Sequence, residues 1–331
     1  MVFKIKMIIT DNLGSLLTQS LFGWLKDKQM LTYLLVATII TIITSIVSLL
    51  SVSDFFNYLI KLAPTLIENN GLSVLDFIGL MGTLTPAMMI STIEGIILFV
   101  LSYFIIKRGL ELNGKKGVDF SITRIIILIV LEIITFFVAA LSPYRLKWLG
   151  IGIIGFIFII LGGLLSIISP ASMILAFIGM ILIIAYFIIV IINYIRLSLG
   201  IVAYIEKDIE IMEALKTSWD LTKGNELGLI IISISVSLII GVFSYIASIP
   251  STMFLQMVIL GLGNVDSTIG FELVINTILG TFSNPIYLIL LIPVFIISAY
   301  QIVTLSYLLP LVYTTLKKEV KRTKKQETYH F

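Results

Sequence analysis

Three ionisable residues lie inside otherwise apolar stretches of the chain: Glu94, Arg124 and Glu132. A charge in hydrocarbon costs about 2.5–3.5 kcal/mol on insertion scales, so each needs a partner or a wet cavity. If Glu94 and Glu132 face one another they form a proton or cation site, with Arg124 nearer the cytoplasmic edge. In the plainer reading Arg124 snorkels to phosphates, and each glutamate is protonated or bonded to a hydroxyl such as Ser91, Thr92 or Thr135. Asn193, Arg196 and Gln301 can extend such a cluster. Most other chemistry is excluded. The chain has no cysteine, and its one histidine is His330, next to last, so thiolate sites, paired-histidine metal sites and a Ser/His/Asp triad have no residues to build them. No nucleophile and base can be paired. The expectation is a non-enzymatic protein with no catalytic residue, no metal and no cofactor.

The elements that must position these charges follow from composition. Of 331 residues, 59% are apolar and 12% charged, and mean hydropathy is +1.13, too little polar surface for a water-facing domain. The fold class is all-α: a polytopic helical membrane protein with about six transmembrane helices, amphipathic interfacial helices and re-entrant segments. Residues 1–30 form a cytoplasmic amphipathic segment, with Leu13, Leu17, Leu21 and Trp24 at helical spacing. Residues 31–315 form one membrane domain. Residues 316–331 are a basic cytoplasmic tail in which Lys317, Lys318, Lys321, Arg322, Lys324 and Lys325 crowd together.

Crossings are expected at Leu31–Val52 and Pro86–Ile106, the latter preceded by a partial insertion at Leu75–Leu84 that Pro86 ends. Three apolar stretches follow, at Ser121–Leu141, Trp148–Ile168 and Ser172–Ile192, then crossings at Leu227–Ile249 and Ile286–Leu311. The basic loop at 107–120, the segment at 196–225 and the tail should all be cytoplasmic by their Lys and Arg content. Three full crossings between the first two would break that agreement. One stretch must therefore fall short, either as a re-entrant hairpin turning at Ser169-Pro170-Ala171-Ser172 or within Ser121–Leu141, and seven or eight crossings are the alternative to six. Gly162 and Gly163 would let the hairpin pack closely. Met253–Leu262 and Phe271–Leu279 read as short membrane-dipping helices around a turn at Gly263–Thr268.

The most informative stretch is 208–223. At 100° per residue Ile211, Met212, Ala214, Leu215, Ser218, Trp219 and Leu221 share one half, opposite Glu210, Glu213, Thr217 and Asp220. Asp208 is placed to cap the start, Gly224 the end, and Asn225 the next helix. Lys216 and Lys223 flank Trp219 and can snorkel, so this helix should lie flat on the cytoplasmic face. Aromatic residues near span ends, among them Tyr194, Tyr287 and Tyr313, read as an interfacial belt.

Arg196, Glu206 and the run Glu213-Ala214-Leu215-Lys216-Thr217-Ser218-Trp219-Asp220-Leu221-Thr222-Lys223-Gly224-Asn225 resemble a signature of a broad group of bacterial and archaeal multi-pass membrane proteins. That group includes the membrane domain fused to some glycerophosphodiester phosphodiesterases. The resemblance implies no catalytic role, because the histidine and acidic metal ligands of the fused enzyme domain have no counterpart here. The function expected is organisation of lipid or a partner protein at the cytoplasmic face of the cell membrane. The alternative is a transporter or channel using Glu94 and Glu132, and the third reading is a membrane subunit of a lipid-metabolising enzyme. The partners implied are the bilayer, anionic phospholipid and an unidentified protein, and not nucleic acid.

Overall fold

The computed structural model describes residues 8–69, 73–141, 146–166, 169, 172–261 and 269–328. All regular structure among them is helical: α1 (Ile8–Asp11), α2 (Leu13–Phe22), a 3-10 turn (Gly23–Lys26), α3 (Lys28–Asn69) and α4 (Val74–Leu112) open the chain. There follow α5 (Ile122–Leu141), α6 (Leu146–Leu165), α7 (Met173–Leu197), α8 (Leu199–Lys207), α9 (Ile211–Thr222), α10 (Glu226–Leu260), α11 (Ile269–Phe282) and α12 (Pro285–Thr328). Six helical segments are long and apolar enough to cross a membrane, so the chain is a multi-pass membrane protein. In none of the six is more than 28% of the most apolar window buried inside the protein. Bare apolar sides of this extent need hydrocarbon around them.

Several helices outrun their expected bounds. Helix α3 starts where the Asp27 carboxylate accepts the Met30 amide hydrogen at 3.0 Å, and it continues past the expected end at Val52 through Asp54 and Lys61. Their spacing of seven places them on one helix face. Leu75–Leu84 is not a separate insertion. A reciprocal cap starts α4 at Val74: Ser73 Oγ accepts the Asp76 amide hydrogen at 3.1 Å, while Asp76 Oδ2 accepts the Ser73 amide hydrogen at 3.2 Å. The helix then runs unbroken through Pro86. Likewise Met253–Leu260 continues α10 past Pro250, and the expected turn at Gly263–Thr268 lies outside the described residues. Neighbouring helices and local adjustment let membrane helices carry such prolines. The basic tail continues α12 as helix to Thr328.

Two compact parts share these helices. One comprises Trp24–Ile105 and Val236–Ser306. In it α3 and α4 run antiparallel, with Tyr33 against Phe104 and Tyr58 over Gly79, and the fully buried Trp24 packs on Tyr300 with ring centroids 5.2 Å apart. The other comprises Met1–Gly23, Ile106–Ser235 and Tyr307–Phe331.

In that second part the three apolar stretches at 121–192 resolve into two arms. Followed backwards along α8 and α7, the contacts climb α5 and then α6. Asp208 meets Arg124, Tyr194 meets Glu132, and Asn193 and Tyr186 donate to the carbonyls of Ala139 and Ala140 at 3.3 and 2.8 Å. Beyond these, Tyr186 lies on Gly152, Gly179 on Gly155 and Ala176 on Gly162. Thus α6 continues the course of α5, and α7 with α8 returns beside both. The three stretches thus make two arms, two of them sharing one, and the expected turn at Ser169-Pro170-Ala171-Ser172 lies in large part outside the described residues. Gly162 does pack closely, whereas Gly163 faces open space.

At the crossing of Gly155 with Gly179, a Cβ on Gly155 would stand 2.9 Å from the Gly179 carbonyl oxygen, below any normal contact. Gly155→Leu should therefore cost about 1–3 kcal/mol of stability by overpacking, read as a lowered unfolding midpoint of the detergent-solubilised protein. Gly163→Leu should leave that midpoint nearly unchanged, and equal effects would contradict this register.

Candidate functional site

Besides Leu128, Leu131 and Ala139 in α5, the best-enclosed residues of the second part cluster at the polar ends: Leu110, Leu197, Leu199, Val202, Ala203, Ile205, Tyr313 and Leu316 are almost wholly buried. Around them the chain places its ionisable groups in three connected clusters.

The first is centred on Arg196, near the end of α7, with a side chain only 6% exposed. Its guanidinium carbon lies 3.6 Å from the Trp219 ring centroid, Nη2 donates to the Trp219 carbonyl at 3.3 Å, and Nη1 lies 3.2 Å from Glu226 Oε1. Carbonyls in the last turn of a helix lack intrahelical donors. That of Arg196 accepts the Ser218 hydroxyl at 2.5 Å. Arg196 thus binds α9 from both sides, through its side chain and its backbone.

The second is centred on Glu206 in α8, whose side chain is 9% exposed. Its carboxylate accepts the Tyr313 hydroxyl at 2.8 Å and the Lys317 ammonium, both from α12, and Lys115 Nζ stands 3.8 Å away. The third joins the loop after α4 to the loop after α8. The Val118 amide donates to the Ile205 carbonyl at 2.8 Å, Lys107 pairs with Asp119 at 3.0 Å, and Arg124 engages both oxygens of Asp208, at 2.6 and 3.3 Å. Asp208 is not the cap of α9. It sits in the left-handed region at φ 55°, closing α8, while Glu210 occupies the position before α9 without a side-chain cap bond. The Lys107 bond and charge hold the Asp119 carboxyl below its usual range, as the Arg124 bond does for Asp208.

The signature residues divide accordingly. Arg196, Glu206, Ser218, Trp219 and Asn225 make internal contacts, and Gly224 turns the chain at φ 80° as expected. Asn225 precedes α10, but its Oδ1 accepts the Ile9 amide hydrogen at 3.3 Å, so its side chain fastens α1. Glu213, Lys216 and Lys223 are exposed. The α9 stripe is Ala214, Leu215, Ser218 and Thr222, all buried against the protein, whereas Met212 is exposed.

The intramembrane candidates do not act as one set. Arg124 and Glu132 both project from α5, yet Arg124 pairs with Asp208 and Glu132 accepts the Tyr194 hydroxyl. Thr135 is not the partner of Glu132, since its hydroxyl donates to the Leu131 carbonyl at 2.7 Å. Glu94 is half-buried on α4. Sequence reasoning missed Tyr194 and Tyr313 as partners of carboxylates because their position near helix ends suggested only an aromatic belt. Among the described residues no group of acidic or histidine side chains is arranged to hold a metal. Comparison with protein families, curated proteins and solved structures finds no match.

The Arg124–Asp208 pair gives a pH signature. Asp208 has a folded pKa below its ordinary value of 3.8, so its contribution is complete above that value and is lost as pH falls through the folded one. Asp208→Asn tolerates the left-handed backbone but removes the charge. It should lower the unfolding midpoint at pH 7 and flatten the acid limb of midpoint against pH below about 4. An unchanged acid limb would contradict the pairing.

Proposed function

We propose that this chain is a non-enzymatic protein of the cell membrane, with both termini cytoplasmic, that organises anionic phospholipid at the cytoplasmic face. The observation that carries the reading is how the charges are sorted. The carboxylates of Glu206, Asp208 and Glu226 are met internally by Lys317, Lys115, Arg124 and Arg196. Lys116, Lys207, Lys216, Lys223 and Lys318 remain exposed, five lysines against the three exposed acids of the α9 segment, Glu210, Glu213 and Asp220. These lysines belong to segments that the three clusters tie together, and each basic residue near an anionic leaflet contributes about 1 kcal/mol. The excess of Lys and Arg in the loop at 107–120 and in the tail supports a cytoplasmic placement. The likeness of residues 196–225 to the signature described above fits a membrane module of this kind. The docked stripe of α9 modifies the expected surface float: the helix is held by protein, and its outward lysines meet the lipid.

Phosphatidylglycerol added to the purified protein in detergent should raise its unfolding midpoint, since a ligand that binds the folded state stabilises it, while phosphatidylcholine should not. Lys207→Gln with Lys216→Gln and Lys223→Gln should abolish most of that rise and leave the midpoint without lipid unchanged. Equal shifts with the two lipids would refute the reading. The chain has no cysteine, so Lys216→Cys and Lys318→Cys each introduce a single thiol. An impermeant maleimide should label either only after permeabilisation, and labelling of intact cells would reverse the orientation.

A further inference from the structure

The cleft between α5 and α7 takes no part in the function proposed above. It encloses about 690 Å3, within the range of roughly 300–1,000 Å3 typical of small-molecule sites. Its walls are apolar and aromatic, with Phe136, Tyr186, Phe187 and Val190 around the pair Glu132 and Tyr194. The Ala140 carbonyl holds the Tyr186 hydroxyl at 2.8 Å, so that ring stands as a fixed wall. Phe136 and Phe187 are 58% and 57% exposed, so the cleft is open at the helix surface, where the bilayer would supply its occupant.

The charge in this cleft is one-sided. Glu132 accepts a hydrogen bond from Tyr194, a neutral donor, and among the described residues no lysine, arginine or histidine lines the cleft. Among the described residues this carboxylate has no counter-charge of the kind intramembrane acids normally find. Four aromatic residues line the same cleft, and aromatic π-faces attract cations most strongly where water is excluded.

We propose that this cleft binds a hydrophobic organic cation from the lipid phase: an ammonium or phosphonium centre against the Glu132 carboxylate and the aromatic faces, with its apolar body along Val190 and Ile191. An anion of the same shape meets a like charge. A neutral molecule leaves the carboxylate uncompensated. The hydrogen bond from Tyr194 orients the carboxylate and ties α7 to α5.

The test uses the full-length protein in nanodiscs of phosphatidylcholine, with tetraphenylphosphonium and the isosteric anion tetraphenylborate measured by equilibrium dialysis against empty nanodiscs. The expected result is saturable binding of the phosphonium alone. Glu132→Gln keeps an oxygen to accept the Tyr194 bond but loses the charge, so its unfolding midpoint should stay within a few degrees while phosphonium affinity falls at least about tenfold, as loss of a buried charge partner does. Phe187→Leu retains bulk without a π-face and should weaken binding several-fold, which keeps the proposal testable if Glu132→Gln does not fold. Absence of saturable binding, equal binding of the borate, or unchanged affinity in a folded Glu132→Gln or Phe187→Leu protein overturns it.

Discussion

A carboxylate withdrawn from water must be met by donors, and at Glu206 that requirement fixes where three distant pieces of chain can go. Its donors come from the loop after α4 through Lys115, and from the end of α12 through Tyr313 and Lys317. Removing one side of such a pair leaves a buried charge uncompensated, at a cost of about 3–5 kcal/mol. With α8 fixed to both segments, the neighbouring contacts fall into register: Val118 on Ile205, Arg124 on Asp208, and Arg196 on Trp219. The polar ends therefore form one enclosed core of their part of the molecule, continued by Leu128, Leu131 and Ala139 on the inner side of α5, while the outer sides of the apolar arms stay bare for lipid.

This inverts the usual arrangement of a water-soluble domain. Apolar association has little force in hydrocarbon, so the arms depend on close backbone approach and on sparse polar contacts. Gly155 against Gly179 supplies the first. The bonds from Tyr194 to Glu132, from Asn193 to Ala139 and from Tyr186 to Ala140 supply the second. The same sparse contacts leave a cleft open between α5 and α7, so the feature that registers the arms also exposes a charge to the bilayer.

What the sequence made legible was local. Apolar runs gave the helical membrane class, the 3.6-residue period placed α9, and the positive φ of Gly224 fell where a glycine stood to end it. Helix ends were harder. Pro86 and Pro250 look like breaks by the rules of soluble helices, yet membrane helices absorb them, and the decisive signal at α4 was the Ser73–Asp76 box. Periodicity showed that α9 has an apolar stripe but not what covers it, and protein does. The pairings of the site were illegible for a different reason: Glu132 with Tyr194 and Glu206 with Lys317 span 62 and 111 residues, and no spacing rule links residues so far apart. Arg196, Glu206 and Trp219 could be singled out, but their partners emerge only when the arms are folded back.

The central claim is that Glu206 couples α8, the loop after α4 and the end of α12 into one structural unit. Hydrogen exchange of the full-length protein, compared with Glu206→Gln by mass spectrometry, tests it most directly. The account predicts that amide protection falls together in peptides covering 115–121, 199–207 and 307–318. Loss confined to 199–207, with the other two segments as protected as before, would contradict it.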